Sequence, residues 1–165
     1  MLALLSMGYF GSCVGIAAAT DLTGYKIYNW TWMALAAGFF PAALFAGMPV
    51  TEIGEHALAF ISMICLAMLL FYFGAFGAGD GKLIAAIALW TGFAHMLTFL
   101  VEASLVGGLF AVLLYLIRRF PRPVFLYRYT WSDALFDRKV GMPYGLPIAV
   151  GALLVYPQIS WLQAL

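Results

Sequence analysis

Long uncharged apolar stretches alternate with short polar joints along this chain. The uncharged runs cover residues 1–20, 30–51, 57–79, 83–101, 103–117 and 140–165. A helix needs about 20 apolar residues to cross roughly 30 Å of hydrocarbon, and the first three runs meet that length directly. Residues 83–117 would extend about 53 Å as one helix, too far for a single crossing, so a tight turn is predicted near residues 98–102. The expected fold class is an all-α integral membrane protein with six transmembrane helices, forming one polytopic domain over residues 1–165.

Composition supports the bilayer as solvent. Of 165 residues, 65% are hydrophobic and only 9% charged, where a soluble domain carries about 25% charge. The net charge of +1 gives no overall field that would attract nucleic acid or an acidic partner. Charge placement is more informative. The six-helix division puts Lys26 between the first two helices and Lys82 between the third and fourth. Arg118, Arg119, Arg122, Arg128, Arg138 and Lys139 fall between the fifth and sixth. All eight basic residues then share one face, which the positive-inside rule makes cytoplasmic, with both termini and Glu52, Glu55 and Glu102 on the other face. The stretch 118–139 intersperses those cations with Phe120, Phe125, Tyr127, Tyr129, Trp131 and Phe136. This is expected of a cytoplasmic interfacial loop with rings at headgroup depth and charges toward anionic lipid, not of a nucleic-acid surface.

The remaining candidate groups add little. Residues 1–20 carry no basic segment ahead of the apolar run, so they are read as a membrane helix and not as a cleaved leader. Cys13 and Cys65 stand alone in apolar runs and are expected to be small core hydrophobes. His56 and His95 lack metal-ligand spacing and are expected to be satisfied or interfacial, so neither a metal nor a cofactor is expected. Small residues at 15–19, 34–38 and 107–108 would permit close helix approach.

Two aspartates border the spans. Asp21 closes the first run and Asp80 lies in Gly77-Ala78-Gly79-Asp80-Gly81-Lys82, both at the predicted cytoplasmic boundary. A carboxylate in that position is functional unless it simply ends a helix in water, and Asp80 could serve as N-cap for a helix beginning near Lys82. The alternating Gly77, Gly79 and Gly81 suggest a flexible backbone able to approach a bound peptide, or only a loop between helices. They are not a phosphate-binding loop, because Phe76 stands at the first glycine and Leu83 at the Ser/Thr.

These residues carry a specific resemblance. Asp21 lies six residues before Ile27-Tyr28-Asn29, and Gly77, Gly79, Asp80, Lys82 and Leu83 follow the order Gly-x-Gly-Asp-x-Lys-Leu. The chain resembles the type IV prepilin leader peptidase family, intramembrane aspartic proteases of the Gly-x-Gly-Asp class. Pro143-Tyr144-Gly145 and the apolar run after it are similar to the family's last helix. Tyr28 stands where the family usually has Pro, and the Cys-x-x-Cys loop of its methylating members is absent. The resemblance is thus to a short, peptidase-only form, such as those serving Flp-type pilins or preflagellins.

The resemblance implies a catalytic pair, Asp21 and Asp80, with Gly77, Gly79, Lys82, Lys26 and Asn29 in support. Peptide hydrolysis needs a nucleophilic water and an electrophilic carbonyl, and two carboxyl groups sharing one proton supply both and titrate as a unit. Which is base and which acid stays open. Lys82 and Lys26 could orient the pair or the substrate, or could only anchor the topology. The implied substrate is a prepilin whose short basic leader is removed after a Gly at the cytoplasmic boundary of a bacterial or archaeal membrane. The implied partners are that membrane peptide and the bilayer; oligomeric state is not legible. Two other readings are a small proton- or cation-coupled transporter component, for which neither mid-membrane carboxylates nor an internal repeat is seen, and an inactive assembly scaffold.

Overall fold

The computed structural model describes residues 2–129, 131–138 and 140–164, and every regular element among them is helical. Lys139 and the Phe125 ring, both placed in the basic aromatic loop above, lie outside the described residues. The main helices are α1 (Leu2–Gly24), α2 (Asn29–Phe45), α3 (Val50–Tyr72), α4 (Ala78–Ile117), the short α5 (Trp131–Phe136) and α6 (Gly145–Val155). Short 3₁₀ helices cover Val124–Arg128, Tyr156–Gln158 and Ser160–Ala164. α1, α3 and α4 are long and apolar enough to cross a membrane.

α4 departs from the expected turn. Residues 98–102 are continuous helix, and the break falls at Gly92, whose φ of 58° and ψ of −176° divide α4 into arms 78–91 and 93–117. That backbone conformation is essentially open to glycine alone. The break is buried, so the carbonyls at the end of the first arm need partners. The Leu89 carbonyl meets His56 Nδ1 at 2.7 Å, and Trp161 Nε1 donates to the Trp90 carbonyl at 3.0 Å. The Thr91 hydroxyl donates to the Ala88 carbonyl at 3.4 Å. His56 is thus a satisfied core histidine, stacked on Phe39 and edge-on to Trp161.

Every residue from Leu83 to Gly92 is buried, so the first arm of α4 is a central post that is apolar on all sides. α3, α2 and α6 pack around α4, and α1 closes the bundle against α2 and α6. Close approaches occur where the small residues permit them. A Cβ on Gly38 would fall 2.1 Å from the Tyr9 ring, and one on Gly151 would fall 2.6 Å from the Ala103 backbone nitrogen. Cys13 is buried as expected, whereas Cys65 is exposed on the outer side of α3, where an apolar face need not pack on protein. Glu102, expected in a solvated turn, lies within the second arm of α4 and accepts a hydrogen bond from Gln158 Nε2 at 3.1 Å.

Candidate active site

The helix ends gather into two groups. One holds the break in α4, His56 and Trp161; the other holds the end of α1, the starts of α2, α4 and α6, and the end of α4. The two aspartates belong to the second group. Asp21 occupies the last turn of α1 and is buried, with 6% of its surface exposed. Its Oδ2 accepts a 2.7 Å hydrogen bond from the backbone N–H of Gly145, the first residue of α6. A free N–H at a helix start, at the positive end of the helix dipole, is a natural seat for a carboxylate.

Gly145 has to be a glycine for this contact. A Cβ there would lie 2.8 Å from Asp21 Cβ and 2.9 Å from Oδ2.

Asp80 is the third residue of α4. The helix begins at Ala78 with Gly77 as N-cap, so Asp80 is a first-turn residue and not the cap of a helix beginning near Lys82. Half-buried, it lies within electrostatic reach of Asp21. Burial opposes charge on such groups, while the helix starts beneath them favour it.

The glycines around Asp80 make room and are not hinges. A Cβ on Gly77 would fall 2.6 Å from Asp80 Oδ2, on Gly79 3.2 Å from Ile27 Cβ, and on Gly81 2.5 Å from Ala67 Cβ. None of the three has positive φ, so the expected flexible backbone is instead a tightly packed helix start.

The two signatures dock on each other. Ile27 of the first packs on Gly79 of the second, and Lys82 Nζ donates to Asn29 Oδ1 at 3.1 Å. Asn29 Oδ1 also accepts from Trp32 Nε1 at 3.2 Å, and Lys82 lies over the Trp32 ring. Lys82 is therefore committed to Asn29 and Trp32, while Lys26 lies 5.2 Å from the centre of the Tyr28 ring. Among the described residues no group of three His, Cys, Asp or Glu side chains could hold a metal ion.

A family model for the type IV leader peptidases matches residues 9–112, a stretch that contains both signatures. The chain belongs to the type IV leader peptidase family. No curated protein and no solved structure matches it. Within this leader peptidase, Tyr28 in place of proline changes little in the backbone. Its φ of −74° and ψ of 143° lie where proline would sit, and it serves as N-cap of α2.

Three residues at this end of the bundle were not legible in the sequence as site residues. Gly145 was visible only as a helix-opening glycine, because its partner Asp21 is far away in the chain. Tyr144 fills the space left by Gly107, where a Cβ would lie 2.5 Å from the phenol oxygen, and stands edge-on to Phe76. Tyr25 adopts a positive φ of 52°, and its buried hydroxyl has no well-formed hydrogen bond among the described residues, although the Arg118 guanidinium is close enough to act on it. A non-glycine residue held at positive φ beside a site marks local strain that surrounding packing maintains.

Proposed function

We propose that this leader peptidase is an aspartic endopeptidase in which Asp21 and Asp80 form the catalytic pair. One carboxylate takes a proton from water as the oxygen attacks the scissile carbonyl carbon, while the other carboxyl group donates its proton to the carbonyl oxygen. Collapse of the tetrahedral intermediate breaks the C–N bond as one of its hydroxyls returns a proton to the carboxylate that had donated, and the leaving amine takes up the proton held by the other carboxyl group. The observation that carries this reading is the docking of the two signatures, which brings two carboxyl groups from distant helices to one end of the bundle.

The proposed substrate is a type IV-like prepilin, Flp-type or similar, cut after a Gly between its basic leader and its apolar helix. An apolar cavity of about 160 Å³, lined by Phe76, Leu100, Tyr144 and Gly81, the residue after Asp80, among others, offers room for an apolar side chain of the substrate. A larger cavity of about 460 Å³, between α1 and α2 around Leu5, Tyr9 and Phe45, lies toward the opposite end and plays no part in this chemistry.

The proposed topology has six passes, with the two arms of α4 counted separately, both termini outside and the aspartate end cytoplasmic. Lys26, Lys82 and Arg118 all lie at that end, which supports the assignment. Both aspartates sit at the bundle's end and not at its middle, where a proton or cation path would need them. The test is incubation of the purified protein in a bilayer with a synthetic peptide of basic leader, Gly and apolar helix. Products whose masses place the cut after that Gly support the proposal; an intact peptide alongside folded protein refutes it.

A further inference from the structure

Three arginines near the end of α4 converge on one cavity, and the peptidase chemistry makes no use of them there. The cavity holds about 410 Å³ and is lined by Ala111, Leu114, Tyr115 and Met142 together with Arg118, Arg119 and Arg138. Two of the guanidinium groups are fixed by backbone carbonyls. Arg118 Nε donates to Leu135 O at 2.8 Å and its Nη2 to Gly141 O at 3.2 Å. Arg138 donates from Nε and Nη2 to the carbonyl of Arg118 at 3.2 and 3.0 Å. Arg119 donates to the Tyr115 hydroxyl at 2.8 Å, its guanidinium lying over that ring.

These contacts leave N–H donors on all three side chains, since each guanidinium carries five. Arg122, outside the cavity, pairs with Asp133. Three like charges held around one cavity repel one another, and an anion seated between them removes that repulsion. Arginine suits phosphate in particular, because its planar fork matches the oxygens.

The walls choose among anions. Ala111 and Leu114 come from α4, whose neighbouring Leu113, Leu116 and Ile117 are exposed apolar residues on a membrane-length helix. Arginines above and an apolar wall below match a phosphodiester headgroup with the first part of its acyl chains. The basic leader of a prepilin would be repelled here, so the cavity is not its seat.

We infer that this cavity is a discrete site for one anionic phospholipid, held by Arg118, Arg119 and Arg138 through its phosphate and by Ala111 and Leu114 through its chains. The inference does not depend on the peptidase reading and stands or falls separately from it.

The test uses the full chain in phosphatidylcholine nanodiscs titrated with phosphatidylglycerol, with bound lipid counted by native mass spectrometry. The wild type should retain one phosphatidylglycerol. R119Q should bind it about fivefold more weakly, and R119Q/R138Q about thirtyfold, as expected for basic residues facing an anionic lipid. R128Q removes the same charge outside the cavity and should leave binding unchanged; Arg119, Arg128 and Arg138 are all exposed, so these variants should fold. Equal weakening by R128Q and R119Q would mean diffuse surface attraction and overturn the site. Displacement of the lipid by equimolar glycerol phosphate would make it a site for free anions, and no retained phosphatidylglycerol would dismiss it altogether.

Discussion

Gly145→Ala tests whether the start of α6 positions Asp21. The added Cβ would lie 2.8 Å from Asp21 Cβ, 2.9 Å from Oδ2 and 3.1 Å from Cγ. Carbon atoms pack at about 3.5–4.0 Å, so the aspartate must retreat by roughly 0.7–1.2 Å. That retreat stretches or breaks the 2.7 Å hydrogen bond from the Gly145 N–H. A displacement of about 1 Å in reacting groups costs on the order of a hundredfold in rate, and overpacking costs about 1–3 kcal/mol in stability.

Two other glycines separate these effects. Gly38→Ala would place its Cβ 2.1 Å from the Tyr9 ring, beside the cavity at the opposite end from the aspartates, whereas Gly141 has no atom within 4 Å of an added Cβ. The assay is initial cleavage rate per folded molecule, read beside thermal unfolding in detergent. Gly145→Ala should lose about a hundredfold in kcat, Gly38→Ala should lose stability but not rate per folded molecule, and Gly141→Ala should lose neither. Wild-type kcat in folded Gly145→Ala would refute the claim that this contact positions Asp21 for catalysis.

Other substitutions probe the surrounding structure. Tyr28→Pro should keep full cleavage activity and raise thermal stability slightly, by about 0.4–1 kcal/mol, because the native φ already suits proline; a loss of activity would give the Tyr28 side chain a role that its position does not show. Gly92→Ala should destabilise by at least about 1–3 kcal/mol, since its φ of 58° is strained for alanine and the Cβ would lie 2.8 Å from His56 Cε1; unchanged unfolding would place the break in α4 elsewhere. Burial pushes the Tyr25 phenol up, with the Arg118 guanidinium pulling partly against it. The stability from neutral Tyr25 is therefore complete below its unfolded pKa of about 10 and lost as pH rises through the higher folded value, so Tyr25→Phe should flatten the alkaline fall in unfolding temperature. An unchanged alkaline limb would show that Tyr25 does not titrate with folding.

The aspartates and their motif partners were legible because they form short patterns of fixed spacing. Asp21 with Ile27 and Asn29, and Gly77 through Lys82, could be picked out before any contact was known, and the contacts Ile27–Gly79 and Lys82–Asn29 join them. What the glycines do was not legible. Alternation suggested freedom of the backbone, but the neighbours that fill each missing Cβ come from Ile27, Ala67 and Asp80 itself.

The break in α4 was misplaced for a related reason. Glu102 was the charged residue that interrupts 83–117, so it drew the predicted turn. The actual break needs only one residue that tolerates φ of 58° and distant side chains, His56 and Trp161, to meet the freed carbonyls. Gly92 after Thr91 was the local sign of a helix end, a weak one inside an apolar run. The pairing of Asp21 with Gly145 left no such sign, because a tertiary hydrogen bond across the chain has no sequence period.

The central claim is that Asp21 and Asp80 together cut a prepilin leader. It is tested most directly by co-expressing this leader peptidase with candidate prepilins, as wild type, Asp21→Asn and Asp80→Asn, and reading leader removal by intact mass. Both substitutions keep size and shape while removing the carboxyl group that the chemistry requires. The wild type should process the leader fully, and neither variant should process it at equal membrane levels. Leader removal that persists in either variant would contradict the two-aspartate mechanism.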